Sequence, residues 1–233
     1  MGVVKIGIIG AMEEEVRTIA ANLSNRKEKE IAGCYFYEGL LYDNEIILMK
    51  SGIGKVNAAI GTTLMIELYK PDVVVNSGVA GGLDRTMSVG DIVISTEVRY
   101  NDVDATVFGY EFGQVPAMPA AYVADNNLQE AVSGAAKKNN ISIEPGLVLS
   151  GDSFMSDETR IDELKGVFPE ALCTEMEAGA IAQVAYRFDC PFLIIRALSD
   201  IAGQEALQSY ESFLNTASKI SADLVQTMVM DMK

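Results

Sequence analysis

The feature that most constrains this chain is a repeated switch between short apolar runs and segments with helical spacing. Residues 4–9 form an apolar run that ends on Gly10, and Val16, Ile19, Ala20 and Leu23 then recur at helical intervals within residues 12–23. Residues 34–39 and 45–50 read as a hairpin around Asp43 and Asn44. Residues 55–69 form a second helix that stops before Pro71, residues 72–76 a strand, and residues 77–82 (Ser-Gly-Val-Ala-Gly-Gly) a loop. Further strands are expected at 90–98, 146–149, 172–175 and 192–198, the last interrupted only by Arg196. Further helices are expected at 126–138, 158–167, 178–188 and 210–232. Residues 100–124, with Gly109, Gly113, Pro116 and Pro119, make an irregular stretch long enough to be a functional loop. Strands alternating with helices imply an α/β fold, with a largely parallel sheet covered on both faces and made mixed by the hairpin. A single domain over residues 1–233 is the simplest organisation.

Composition narrows the chemistry. Hydrophobic residues make up 49% and charged residues 22%, which argues against disorder. The formal net charge of −15 repels nucleic acid and anionic membrane, so neither is an expected partner. No apolar run approaches the roughly 18 residues of a membrane span, and the opening residues carry neither a leader's cleavage site nor a lipid signal. Cys34, Cys173 and Cys190 are odd in number and scattered, as expected of reduced thiols in the cytoplasm. There is no His, which excludes Ser-His-Asp and Cys-His catalysis, and three dispersed Cys cannot build an all-Cys zinc site. No metal and no cofactor is expected. Acid–base work must then fall to Asp, Glu, Lys, Tyr or Cys.

Ligands of open α/β sheets bind beyond the carboxyl ends of strands, and three acidic clusters sit there. Glu13, Glu14 and Glu15 follow the first strand, Glu175 and Glu177 flank Met176, and Asp200 follows Ser199. Each has a bland explanation, since acids in a first helical turn complement the helix dipole and Ser199 or Asp200 could cap the last helix. Successive helical side chains point about 100° apart, so at most one or two of the three consecutive glutamates can face one pocket. Glycosidic bond cleavage is chemistry that carboxylates alone perform: one acid protonates the leaving group while another activates water. The glycines of 51–55 and 78–82 match neither a P-loop nor a dinucleotide fingerprint. They let backbone approach a neutral ligand closely, or they serve purely structural turns.

The stretches GIIGAMEEEV (7–16), SGIGKVNAA (51–59), NSGVAGGL (76–83), SGDSF (150–154), TEMEAGAIA (174–182) and RALSD (196–200) resemble, in order, the 5′-methylthioadenosine/S-adenosylhomocysteine nucleosidases. The resemblance implies a three-layer α/β/α nucleoside phosphorylase/hydrolase fold around a central mixed, mostly parallel twisted sheet. It implies a homodimer that hydrolyses methylthioadenosine and S-adenosylhomocysteine to adenine and the corresponding ribose. By position it makes Glu15 the base that orients water, Asp200 the acid at adenine N7, and Glu177 the acceptor of the ribose hydroxyls. It sets Met176 against the sugar, Phe154 on the base and the backbone of Met155 at the base's polar edge. Val79, Ala80 and Gly81 would also touch substrate, and Ile53, Met12 and Tyr210 would line the ribose and alkylthio region. Phe108 and Pro116 would reach the partner subunit's site. Three positions depart from the family pattern: Val79 and Asn101 stand where many members carry Ser and His, and Tyr210 where many carry Phe. Three readings compete with this one: a phosphorylase, a non-catalytic nucleoside-binding protein, and a hydrolase of another purine nucleoside.

Overall fold

A computed structural model describes residues 4–203 and 206–232, so the expectations about the first residues (no leader, no lipid signal at residues 1–2) lie outside the described residues. The chain runs β1 (Lys5–Gly10), α1 (Glu13–Asn22), β2 (Ser24–Ile31), β3 (Cys34–Leu41), β4 (Asn44–Lys50), α2 (Lys55–Tyr69), β5 (Val73–Gly82) and β6 (Ile92–Tyr100). It continues with a 3-10 turn (Thr106–Phe108), β7 (Tyr122–Val123), α3 (Asn126–Lys138), β8 (Ile143–Ser150), α4 (Glu158–Val167), β9 (Ala171–Glu175), α5 (Ala178–Arg187), β10 (Phe192–Ile201) and α6 (Ala206–Asp231).

Local chemistry accounts for the boundaries. Tyr42 and Asp43, at φ 49° and 72°, make the two-residue turn that joins β3 to β4 with the twist a hairpin needs. Lys70 takes the left-handed conformation that closes α2 just before Pro71. The Asp125 and Asp157 side chains accept backbone N–H groups at the starts of α3 and α4. Strand β2 breaks the expected pattern, because its sequence SNRKEKEI is charged and exposed almost throughout. It pairs only with β3, at the sheet's edge, where lysines discourage further strand addition.

The sheet is mixed, with helices on both faces. Helices α1, α3 and α6 pack together on one side, α6 lying against β10 and β5, while α2 and α5 pack together on the other. Five strands, β5, β10, β6, β8 and β9, pair in a closed ring, and β1, β4, β3 and β2 extend from β5 as a wing. Strand β5 is shared by ring and wing. One of its edges pairs with β10, while the other pairs with β1 over Val73–Asn76 and with β9 at Gly81 and Gly82. Between those two stretches the sheet splits, and the backbone of residues 77–80 has no strand on that side. A split of this kind is where α/β sheets open a ligand crevice.

The segment expected to be a loop at 77–82 is therefore strand. A Cβ on Gly78 would lie 2.0 Å from Arg196 Nη1 and 2.3 Å from Glu15 Oε1, and one on Gly81 would lie 3.0 Å from Asp200 Oδ2. These glycines make room first for the side chains of Glu15, Arg196 and Asp200. A second apolar cluster, with Leu149, Leu164 and Phe168 at its centre, holds α4 and Met155 beside the split. Full burial of a side chain such as Phe168 contributes about 2 kcal/mol to holding that wall in place.

Candidate active site

At the split, one cavity of about 790 Å³, counting its open mouth, is lined by Glu15, Glu177 and Asp200 together. The three carboxylates, far apart in sequence, are all buried.

Glu15 is the third residue of α1 and turns its carboxylate back over the helix start. Oε2 accepts the N–H of Ala11 (2.6 Å) and of Met12 (3.1 Å), and Oε1 accepts the N–H of Val79 (3.0 Å), which the split leaves free of strand pairing. Glu15 thus both caps its own helix and faces the cavity. Glu13 is exposed and pairs with Lys50 at 2.9 Å, so one of the three consecutive glutamates is fully committed to the pocket. Burial pushes the Glu15 carboxyl above the ordinary carboxylate range, while Arg196 and the three N–H groups pull it back.

Arg196 is the residue that sequence reasoning passed over. It is fully buried beneath the cavity, bonded through Nη2 to Glu175 and Asn76, with Glu177 Oε2 at 3.8 Å and Glu15 Oε1 at 4.0 Å. One guanidinium thus faces three carboxylates. If all three were ionised the cluster would carry two uncompensated negative charges, and the strain falls on Glu177. Burial first, and then the charge of Glu175, push its carboxyl up to about 8. Glu175 is held in another way, accepting the N–H of Glu177 and of Ala178 at 2.9 Å each, at the N-terminus of α5.

Asp200 sits in β10 beside a bulge between Leu198 and Asp200, so neither it nor Ser199 caps the last helix. Its Oδ1 accepts the Ser199 hydroxyl at 2.8 Å. Val79 has no hydroxyl to offer, and Ser199 supplies that bond from the neighbouring position. Burial pushes the Asp200 carboxyl up, with Ser199 opposing.

The remaining expected residues divide cleanly. Met12, Ile53, Val79, Ala80, Gly81, Phe154, Met155, Met176 and Tyr210 all line the same cavity. Phe154 and Tyr210 meet edge to face at 5.6 Å between ring centres, and the Tyr210 hydroxyl lies 3.3 Å from Met12 Sδ. Ile53 and Phe154 are 49% and 43% exposed, which puts them at the mouth. Ala11, Ser153, Thr174, Glu175, Ser199 and Leu207 add to the lining without having been picked out as substrate contacts. Phe108 and Pro116 are not brought to the cavity; Phe108 is 79% exposed on the loop after β6. No Lys or Arg lines the cavity among the described residues.

Three comparisons with known proteins bear on this geometry. Residues 5–230 match the family model described as the phosphorylase superfamily. A 5′-methylthioadenosine/S-adenosylhomocysteine nucleosidase of Halalkalibacterium halodurans is 61% identical over 225 residues, which span 97% of each chain. The crystal structure of such a nucleosidase from Neisseria meningitidis, in complex with methylthio-immucillin-A, superposes with a TM-score of 0.97 at 42% identity, covering 99% of this chain and 100% of that one. A futalosine hydrolase of Helicobacter pylori superposes with a TM-score of 0.94 at 31% identity, covering 99% of both chains.

Proposed function

The chain belongs to the 5′-methylthioadenosine/S-adenosylhomocysteine nucleosidases of the phosphorylase superfamily, and from that membership we infer an N-ribosyl hydrolase that releases adenine from both nucleosides. The observation that carries the chemistry is the convergence of Glu15, Glu177 and Asp200 on one cavity. Adenine leaves poorly as an anion. Asp200, its proton retained by burial, gives that proton to N7 as the C1′–N9 bond breaks and the bond's electron pair passes to the base. Water adds its oxygen to C1′ and gives a proton to Glu15. Arg196 Nη1 has no hydrogen-bond partner among the described residues and lies 4.0 Å from Glu15 Oε1, a spacing at which one water can accept from the guanidinium and donate to the carboxylate. Glu177 accepts the ribose hydroxyls, and positive charge developing on the ribose favours its ionisation at a site where burial opposes it. Phe154 and Met155 hold the base, Met176 the sugar, and Met12, Ile53 and Tyr210 the 5′ substituent.

The rival within the superfamily transfers ribose to phosphate. A phosphate site needs free cationic groups, whereas no Lys or Arg lines this cavity among the described residues and the Arg196 guanidinium beneath it is already matched by three carboxylates. Adenine is expected to appear from methylthioadenosine at full rate in phosphate-free buffer, measured by the change in ultraviolet absorbance. An absolute requirement for phosphate rejects the hydrolase. A substrate panel that includes an aminofutalosine sets the preference among purine nucleosides.

The working form is a homodimer in the cytoplasm. Free thiols suit that compartment, and no described helix is long and apolar enough to cross a membrane. Val56, Ala59, Val184 and Phe188 line a groove between α2 and α5, and Val107 and Phe108 are exposed nearby in sequence to β6. Apolar surface of this kind suits a second copy, whose cavity Phe108 and Pro116 would complete. Sedimentation should give twice the chain mass, and Phe108→Asp should give monomers of lowered activity. A fully active monomer excludes the arrangement.

A further inference from the structure

Glu177 is held less firmly than its neighbours. Its carboxylate accepts one hydrogen bond among the described residues, from the backbone N–H of Gly54 to Oε1 at 2.8 Å; Arg196 stands off at 3.8 Å. Where Gly54 sits therefore decides where the Glu177 carboxylate points. Gly54 has φ 95° and ψ 161°, which glycine alone adopts comfortably, and α2 begins immediately after it with no side-chain cap of its own.

The cap comes from elsewhere in the chain. The Lys55 N–H donates to Asp152 Oδ1 at 2.8 Å, Lys55 Nζ donates to both oxygens of Asp102 at 2.8 and 2.7 Å, and the Asp152 N–H donates to Asp102 Oδ2 at 2.9 Å. These bonds close a ring through three segments: the turn before α2, the start of the 101–118 loop, and the 151–153 turn that leads to Phe154. None of Lys55, Asp102 and Asp152 lines the cavity. The ring is also tightly seated, since a Cβ on Gly151 would lie 2.0 Å from Asn101 Oδ1 and 2.9 Å from Asp102 Cγ. Asn101 itself is buried and bonds Thr174 Oγ1 at 2.9 Å, so the ring's anchor reaches the cavity wall.

We propose that Lys55 and Asp102 are positioning residues for ribose recognition: their ion pair fixes the turn at Gly54, and the Gly54 N–H fixes the Glu177 carboxylate. The proposal rests on the nucleoside hydrolase reading above and adds to it how the sugar is discriminated.

The test compares kcat/KM for methylthioadenosine with that for its 2′- and 3′-deoxy counterparts, in the full-length protein. In Asp102→Asn the preference for the ribose over the deoxy sugars should fall about tenfold, the scale of one hydrogen bond to a charged group. Lys55→Arg, which keeps the ion pair, should retain the preference. In a Glu177→Gln background the preference is already lost, and adding Asp102→Asn should change it no further. Should Asp102→Asn fail to fold, Lys55→Met reads the same ratio. Equal losses on ribose and deoxy sugars, or an unchanged ratio in both variants, overturn the proposal. Failure of the wild-type protein to release adenine from methylthioadenosine would instead reject the underlying function, so the two failures are separable.

Discussion

Replacing Asp200 with Asn is expected to lower the turnover of methylthioadenosine by about two orders of magnitude or more, the scale of general acid–base catalysis. The substitution keeps the volume and the acceptor for the Ser199 hydroxyl, so the strand bulge and the cavity should survive. What it removes is the proton. Substrate affinity should change far less than kcat, because the proton is demanded only as the glycosidic bond breaks. The pH profile separates this from a packing defect. Burial raises the Asp200 carboxyl, so the protonated form persists toward neutral pH and is lost as pH rises through that raised value. The wild-type profile should therefore fall on its alkaline side, and the Asn variant should lack that fall. Near-normal turnover in the variant would show that the leaving group's proton comes from elsewhere.

How much of this site the sequence made legible depended on whether a residue's role was local. The alternation of strand and helix follows from periodicity, and the end of α2 from Pro71, both short-range signals. The acidic clusters at 13–15, 175 and 177, and 200 stand out because acids at strand ends in a chain without His leave little else to perform acid–base chemistry, while the choice of Glu15 and Glu177 within their clusters comes from the family resemblance. Strand β2 was hidden because it buries almost nothing and so carries no period-two pattern. The 77–82 segment reads as a loop because glycines usually mark one. Their reason lies in residues more than sixty and more than a hundred positions away, Glu15 and Arg196, which occupy the space a side chain at 78 would fill. Tyr210 and Met12, whose contact spans most of the chain, came only through family resemblance.

Arg196 was visible in the sequence, but only as an interruption in an apolar strand. That interruption was itself the signal. An Arg inside a strand buried on both faces must find carboxylates there, and unassigned acids at neighbouring strand ends were its available partners. The single cation explains how several glutamates can be buried together. It leaves the cluster short of positive charge, and burial together with the charge of Glu175 holds the Glu177 carboxyl raised, to about 8.

Arg196→Met tests that dependence. The substitution preserves much of the apolar stem and removes the charge that Glu15, Glu175 and Glu177 share. Breaking a buried ion pair on one side costs about 3–5 kcal/mol, so the melting temperature should drop by roughly 10 °C in a chain of this size, with activity lost as well. The pH dependence identifies the cause. Without the guanidinium the folded-state pKa values of Glu15 and Glu177, already raised by burial and held down by Arg196, rise further above the unfolded value of about 4.3. A carboxyl raised in this way holds its proton more tightly in the folded state. It therefore imposes no penalty below the unfolded pKa, a growing one as pH rises past it, and the full penalty above the folded pKa. Thermal melts from pH 4 to pH 8 should show wild type and variant close together in acid and far apart at pH 8. A gap that stays constant across that range would mean that Arg196 matters for its packing and hydrogen bonds to Asn76, and that the carboxylates tolerate one another without it.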